Sequence, residues 1–136
     1  MSREVAKVPT TGEYGTAAVR HFADAEILAR RKRWVGAGHL VGFAAECAIK
    51  HRIETLRPEQ GAPHGHFPEI LSAARRHLSR RRDTTIHAVL KLTNLMEGWD
   101  VSLRYSRDDA VDEAKYGFWR DHAARLVSAA GLRRSS

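Results

Sequence analysis

Arg104-Tyr105-Ser106-Arg107 sets two guanidinium groups and two hydroxyls side by side. They stand just ahead of a segment that reads as a helix capped by Ser106, with Asp109 three residues later. The free N–H groups and the dipole of a helix start welcome a phosphate, and arginine holds one through paired charge-assisted bonds. This points to capture of a nucleotide or an RNA backbone, with Arg104, Tyr105 and Arg107 as the binding residues. Asp108, Asp109 and Asp112 support a competing reading: an ion-pair cluster that neutralises the two arginines and complements the dipole.

Glu46 and Lys50 stand four apart in an apolar stretch. They read either as a satisfied pair supporting the bundle or a dimer face, or as polar groups beside an inter-subunit cleft. His39 and His51 carry the same two readings. Cys47 with His51, and His64 with His66, each offer two metal ligands, short of a zinc framework, so neither metal nor cofactor is expected. Cys47 is the one cysteine, which excludes an intrachain disulfide, and it reads as a small buried hydrophobe. No glycine-rich phosphate loop, nucleophile elbow or HExxH motif is present.

The formal charge is +7, and it is concentrated. Arg30, Arg31, Lys32 and Arg33 form one block; Arg75, Arg76, Arg80, Arg81 and Arg82 form another. Such clusters favour polyanions, although solvated helix ends would look the same. No aromatics interleave with the blocks, so no base-stacking platform is expected there.

The elements that must hold these groups are helical. With 136 residues, 43% hydrophobic and 29% charged, the chain fits one globular domain. No apolar run approaches the roughly 20 residues that span a bilayer, and MSREVAKVPTTGEYG lacks a signal-peptide core, so a cytoplasmic protein without membrane contact is expected. A first helix starts near Thr10, with Glu13 at capping-box spacing, and buries Ala18, Phe22, Ala25, Leu28 and Ala29. A second, apolar nearly all round, runs from Trp34 to about Leu56 and belongs at the centre of a bundle. Residues 57–66 read as a loop. A third helix begins at Pro68 and buries Phe67, Ile70, Leu71, Ala74 and Leu78. A fourth runs from Thr84 to Trp99 with Ile86, Val89, Leu90, Thr93 and Met96 inward. The fifth places Val111, Ala114 and Phe118 in one inner row and Trp119, Ala123, Leu126 and Ala130 in the next, and ends at Gly131. The expected organisation is an arm at 1–11, one all-α bundle of four or five up-and-down helices at 12–131, and a basic tail at 132–136. Gly38 and Gly42, with Trp34, Trp99 and Trp119 at helix ends, suggest an isologous dimer contact.

The second helix carries Gly36, Ala37, Leu40, Gly42, Phe43, Ala44, Glu46, Ala48 and Lys50, after a first helix with Asp24-Ala25 and a basic turn holding Trp34. His64-Gly65-His66-Phe67 with the helix to Leu78, then Arg104-Tyr105 before the last helix, follow in order. Over residues 17–127 this series resembles the HEPN family. The resemblance implies an up-and-down helical bundle, often dimeric. Members include RNA-cutting toxins, effectors of immunity systems and nucleotide-binding partners of small nucleotidyltransferases. The catalytic members carry Arg, a polar residue, then His after four to six intervening residues, with two copies facing across a dimer. Arg82-Asp83-Thr84-Thr85-Ile86-His87 is similar to that motif. It would supply a proton acceptor and a cation for metal-free RNA cleavage. The motif's usual place, at the last core helix, is held here by Arg104-Tyr105 with no such His. The expected function is therefore a homodimeric, nucleotide- or RNA-associated module of a toxin–antitoxin or defence-type system, non-catalytic by itself, with a nucleotidyltransferase-type protein as a partner. The alternatives are a metal-free endoribonuclease using Arg82 and His87, or a protein–protein interaction module.

Overall fold

The computed structural model describes residues 11–56, 58, 65–78 and 83–133. Among them every regular element is helical: α1 (Thr11–Arg30), α2 (Trp34–Leu56), α3 (Glu69–His77), α4 (Thr84–Leu90), a 3-10 helix at Val101–Tyr105, and α5 (Glu113–Ala129). This is the all-α bundle expected from the sequence. Thr10, His64, Arg80, Arg81, Arg82 and Arg134 lie outside the described residues. No described helix is long and apolar enough to cross a membrane.

α2 is the axis. Ala37, Val41, Ala44, Ala45, Ala48, Ile49 and Ile53 are fully buried along it, and α1, α3, α5 and the 3-10 helix all pack on it. α1 buries Ala18, Phe22 and Ala25, a stripe at helical spacing, and continues into α2 through a tight turn. Arg33 N–H donates to Leu28 O at 2.9 Å and Lys32 N–H to Ala29 O at 2.9 Å, with Lys32 in the left-handed region at φ 60°. That is a Schellman ending carried by lysine where glycine is usual.

α3 begins at Glu69, one residue beyond the expected start, with Pro68 at its N-cap position. α4 is much shorter than expected and stops at Leu90. The chain then turns through residues 91–98, with Met96 and Gly98 at positive φ. Two α5 side chains satisfy this irregular backbone: Met96 N–H donates to His122 Nδ1 at 3.0 Å, and Trp119 Nε1–H donates to Glu97 O at 2.8 Å. Met96 is buried as expected, whereas Thr93 is exposed.

α5 also starts later than expected. Its cap is Asp112, which accepts from Lys115 N–H at 2.8 Å, not Ser106. The inner row is Tyr116, Trp119, Ala123, Leu126 and Val127, with Val111 buried just ahead of the helix. Ala114 and Phe118 face outward. The helix ends as expected at Gly131, φ 83°, in a second Schellman motif closed by Leu132 N–H to Val127 O at 3.1 Å.

Candidate functional site

On α2, His39, Phe43, Glu46 and Lys50 are spaced four, three and four residues apart, so they share one stripe of the helix. Behind the stripe, Gly42 leaves room for the indole of Trp99; a Cβ there would overlap that ring. Trp99 Nε1–H donates to Gly38 O at 2.8 Å, and a Cβ on Gly38 would lie 2.9 Å from Trp119. Gly38 and Gly42 therefore admit two tryptophans of the same chain, and Trp99 and Trp119 are core residues. Of the features that suggested a dimer contact, these four are consumed inside the bundle, and Trp34 packs half-buried against Tyr116.

Phe43 is the hub of the face. His39 meets it edge-on at 4.6 Å between centroids, Trp99 at 5.6 Å, His66 at 5.9 Å and His21 at 6.1 Å. The Arg104 guanidinium carbon sits 6.0 Å from the Phe43 centroid and 5.9 Å from that of Tyr105, within cation–π range. Tyr105 is 82% exposed. Four segments thus converge: α1 brings His21, α2 His39 and Phe43, residues 65–68 His66, and the 3-10 helix Arg104 and Tyr105.

The electrostatics favour an anionic guest. Burial pushes the His39 pKa below the usual imidazole value, helped by the positive charge of Arg104. Burial likewise lowers His21, assisted by Arg20. Both rings are therefore neutral near pH 7. His39 Nε2 and His21 Nδ1 are buried without a hydrogen-bond partner among the described residues. Neutral imidazoles accept or relay protons, and Arg104 supplies a permanent cation. Together they can hold a phosphate, with Tyr105 offering a face for a base.

Glu46 supports this face from below. It is 2% exposed, accepts from Phe67 N–H at 2.9 Å, and lies 3.0 Å from His66 Nδ1. Burial raises its pKa, while the contacts with His66 and Phe67 oppose the rise. Glu46 is thus hydrogen-bonded to His66, while Lys50 acts on it only through its charge, its ammonium 5.7 Å from the Tyr14 ring. Cys47 is half-buried, and burial pushes its thiol up to about 11, which keeps it protonated and unreactive.

The remaining candidates separate. Arg104, Tyr105 and Arg107 do not adjoin a helix N-terminus, because α5 begins at Glu113. Arg107 pairs with Asp109 at 3.6 Å, both strongly exposed, so the ion-pair reading holds for Arg107. Arg104 has no ion pair among the described residues. His87 is half-buried on α4, which packs against α3 and α5, whereas the 3-10 helix packs against α2; the two candidates belong to different parts of the bundle. Its motif partner Arg82 lies outside the described residues. His51 is half-buried against Gly15. Among the described residues no three His, Cys, Asp or Glu side chains converge as metal ligands. His21 and Phe43 are the site residues that sequence reasoning missed, since their roles arise only when α1 and the 3-10 helix meet on α2. No family model, curated protein or solved structure matches the chain.

Proposed function

We propose that this chain is a HEPN-like module that binds RNA or a nucleotide at the face formed by Arg104, Tyr105, His21, His39 and His66. In this reading it serves a toxin–antitoxin or defence-type system as a homodimer, does not cut RNA alone, and works beside a nucleotidyltransferase-type protein. The observation that carries the binding reading is Arg104: an exposed guanidinium, held over Phe43 beside a neutral imidazole, with no described carboxylate paired to it. The family assignment rests on the ordered series from Asp24-Ala25 through Glu46 and Lys50 to Arg104-Tyr105.

The test is a titration of labelled oligouridylate, and separately of ATP, into wild type, Arg104→Ala and His87→Ala. Removing one charged contact to phosphate costs about 1.5–3 kcal/mol, so Arg104→Ala is expected to bind at least tenfold more weakly at an unchanged melting temperature. His87→Ala is expected to match wild type. Chelator-resistant RNA cleavage that vanishes in His87→Ala would replace this reading with the endoribonuclease. Light scattering tests the dimer against the 15.3 kDa of one chain.

A further inference from the structure

We propose that the trough between α1 and α5 is a docking groove for an acidic, amphipathic helix of a partner protein. α1 and α5 both pack on α2 but touch each other sparsely, which leaves a cavity of about 730 Å³ between them. Its lining is mixed: Glu26, Arg120 and Ser128 stand beside an apolar strip on α1. Val19, Ala23 and Ile27 recur every four residues along α1, beside the Ala18–Phe22–Ala25 stripe that already serves the core, and Ile27 is 51% exposed. Leu132 closes the far side and continues into a second depression that also holds Arg20. α1 therefore carries two apolar stripes, and the bundle uses one.

The rim is cationic. Arg120 is committed: it donates to Glu26 at 2.9 Å, and Tyr116 O–H donates to the same carboxylate at 3.1 Å, which ties α5 to α1 across the trough. Arg20, Arg30 and Arg133 carry no ion pair among the described residues. An apolar strip flanked by arginines with no described ion pair is complementary to a helix with leucines on one face and carboxylates on its flanks. The lining runs along α1 from Gly15 to Arg30, roughly 22 Å at 1.5 Å per residue, which suits about four turns of a bound helix. A second copy docked through the same groove fits poorly, because it would set Arg20, Arg30 and Arg133 against their own copies. RNA fits poorly too, because the aromatic ring of the floor, Phe22, is 3% exposed and offers no stacking face.

The experiment uses the full chain and a labelled 16-residue synthetic peptide with leucines at helical spacing and glutamates elsewhere. A permuted peptide of identical composition, oligouridylate as competitor, and the variants Ile27→Asp and Arg30→Glu/Arg133→Glu complete it. Saturable binding is expected, at least tenfold weaker for the permuted peptide and for either variant, unchanged in Arg104→Ala, and not displaced by oligouridylate. Both variants alter exposed positions, and their melting temperatures confirm folding. Equal binding of the two peptides, or full binding by both variants, overturns the proposal. Displacement by oligouridylate would assign the groove to RNA. A dimer that Ile27→Asp dissociates would assign it to a second copy.

Discussion

At the scale of single residues, Glu46 is the buried carboxylate that holds His66 and Phe67 N–H beneath the proposed binding face. Replacing it by Gln keeps an acceptor for Phe67 N–H and removes the buried charge. Because the folded pKa of Glu46 is raised above the ordinary 4.5, its stabilising contribution is complete below 4.5 and is lost as pH rises through the folded value. The melting temperature of Glu46→Gln should therefore gain on wild type between pH 4.5 and 7; a constant offset would show that burial does not dominate at this site. Glu46→Ala orphans the Phe67 N–H and should cost about 1–3 kcal/mol in urea denaturation. The sequence singles out Arg104 as a candidate phosphate ligand and sets Arg107 among acidic neighbours. His21 and His39 were not legible as partners of Arg104, because no local spacing relates residues 21, 39 and 104.

At the scale of elements, the α2–Trp99 junction is the least forgiving. Gly42→Ala forces a methyl into the indole ring, which cannot retreat without losing its bond to Gly38 O; overpacking of this kind costs about 1–3 kcal/mol. Lys32→Gly should act in the opposite sense, stabilising by up to about 1 kcal/mol, since lysine at φ 60° pays a left-handed penalty that glycine avoids. Guanidinium midpoints for the two variants, read at unchanged slope, would check both. The boundaries of α1 and α2 were readable because their apolar stripes, cationic turn and glycines are local signals. The end of α4 and the start of α5 were not. The backbone at 96–97 is satisfied by His122 and Trp119 from α5, and apolar periodicity through Met96 continues although the helix has stopped.

At the scale of the molecule, three histidines set the acid limit. Burial lowers the pKa of His21, His39 and His122, so each contributes stability that is present above about 6.5 and lost as pH falls through its folded value. His122 matters most, because protonation removes the acceptor of Met96 N–H. The melting temperature should fall between pH 6.5 and 5. His122→Ala, less stable at pH 7 by about 1–3 kcal/mol, should close much of its gap to wild type over that range. A gap that persists unchanged at pH 5 would mean that His122 serves only as packing.

The hydrogen bond from Trp99 to Gly38 joins residues 61 apart in the chain, whereas α1 and α2 are neighbours joined by a three-residue turn. Pairing adjacent helices costs far less loop-closure entropy than joining residues so distant in the chain. The α1–α2 contacts should therefore already be present in the folding transition state, and the Phe43–Arg104 face should assemble after it. Ala44→Gly, within the hairpin, should mainly slow refolding, while Trp99→Phe should mainly accelerate unfolding. A partly folded chain would then possess its central hairpin before it can hold an anion at Arg104, so binding competence would arrive only with the native state.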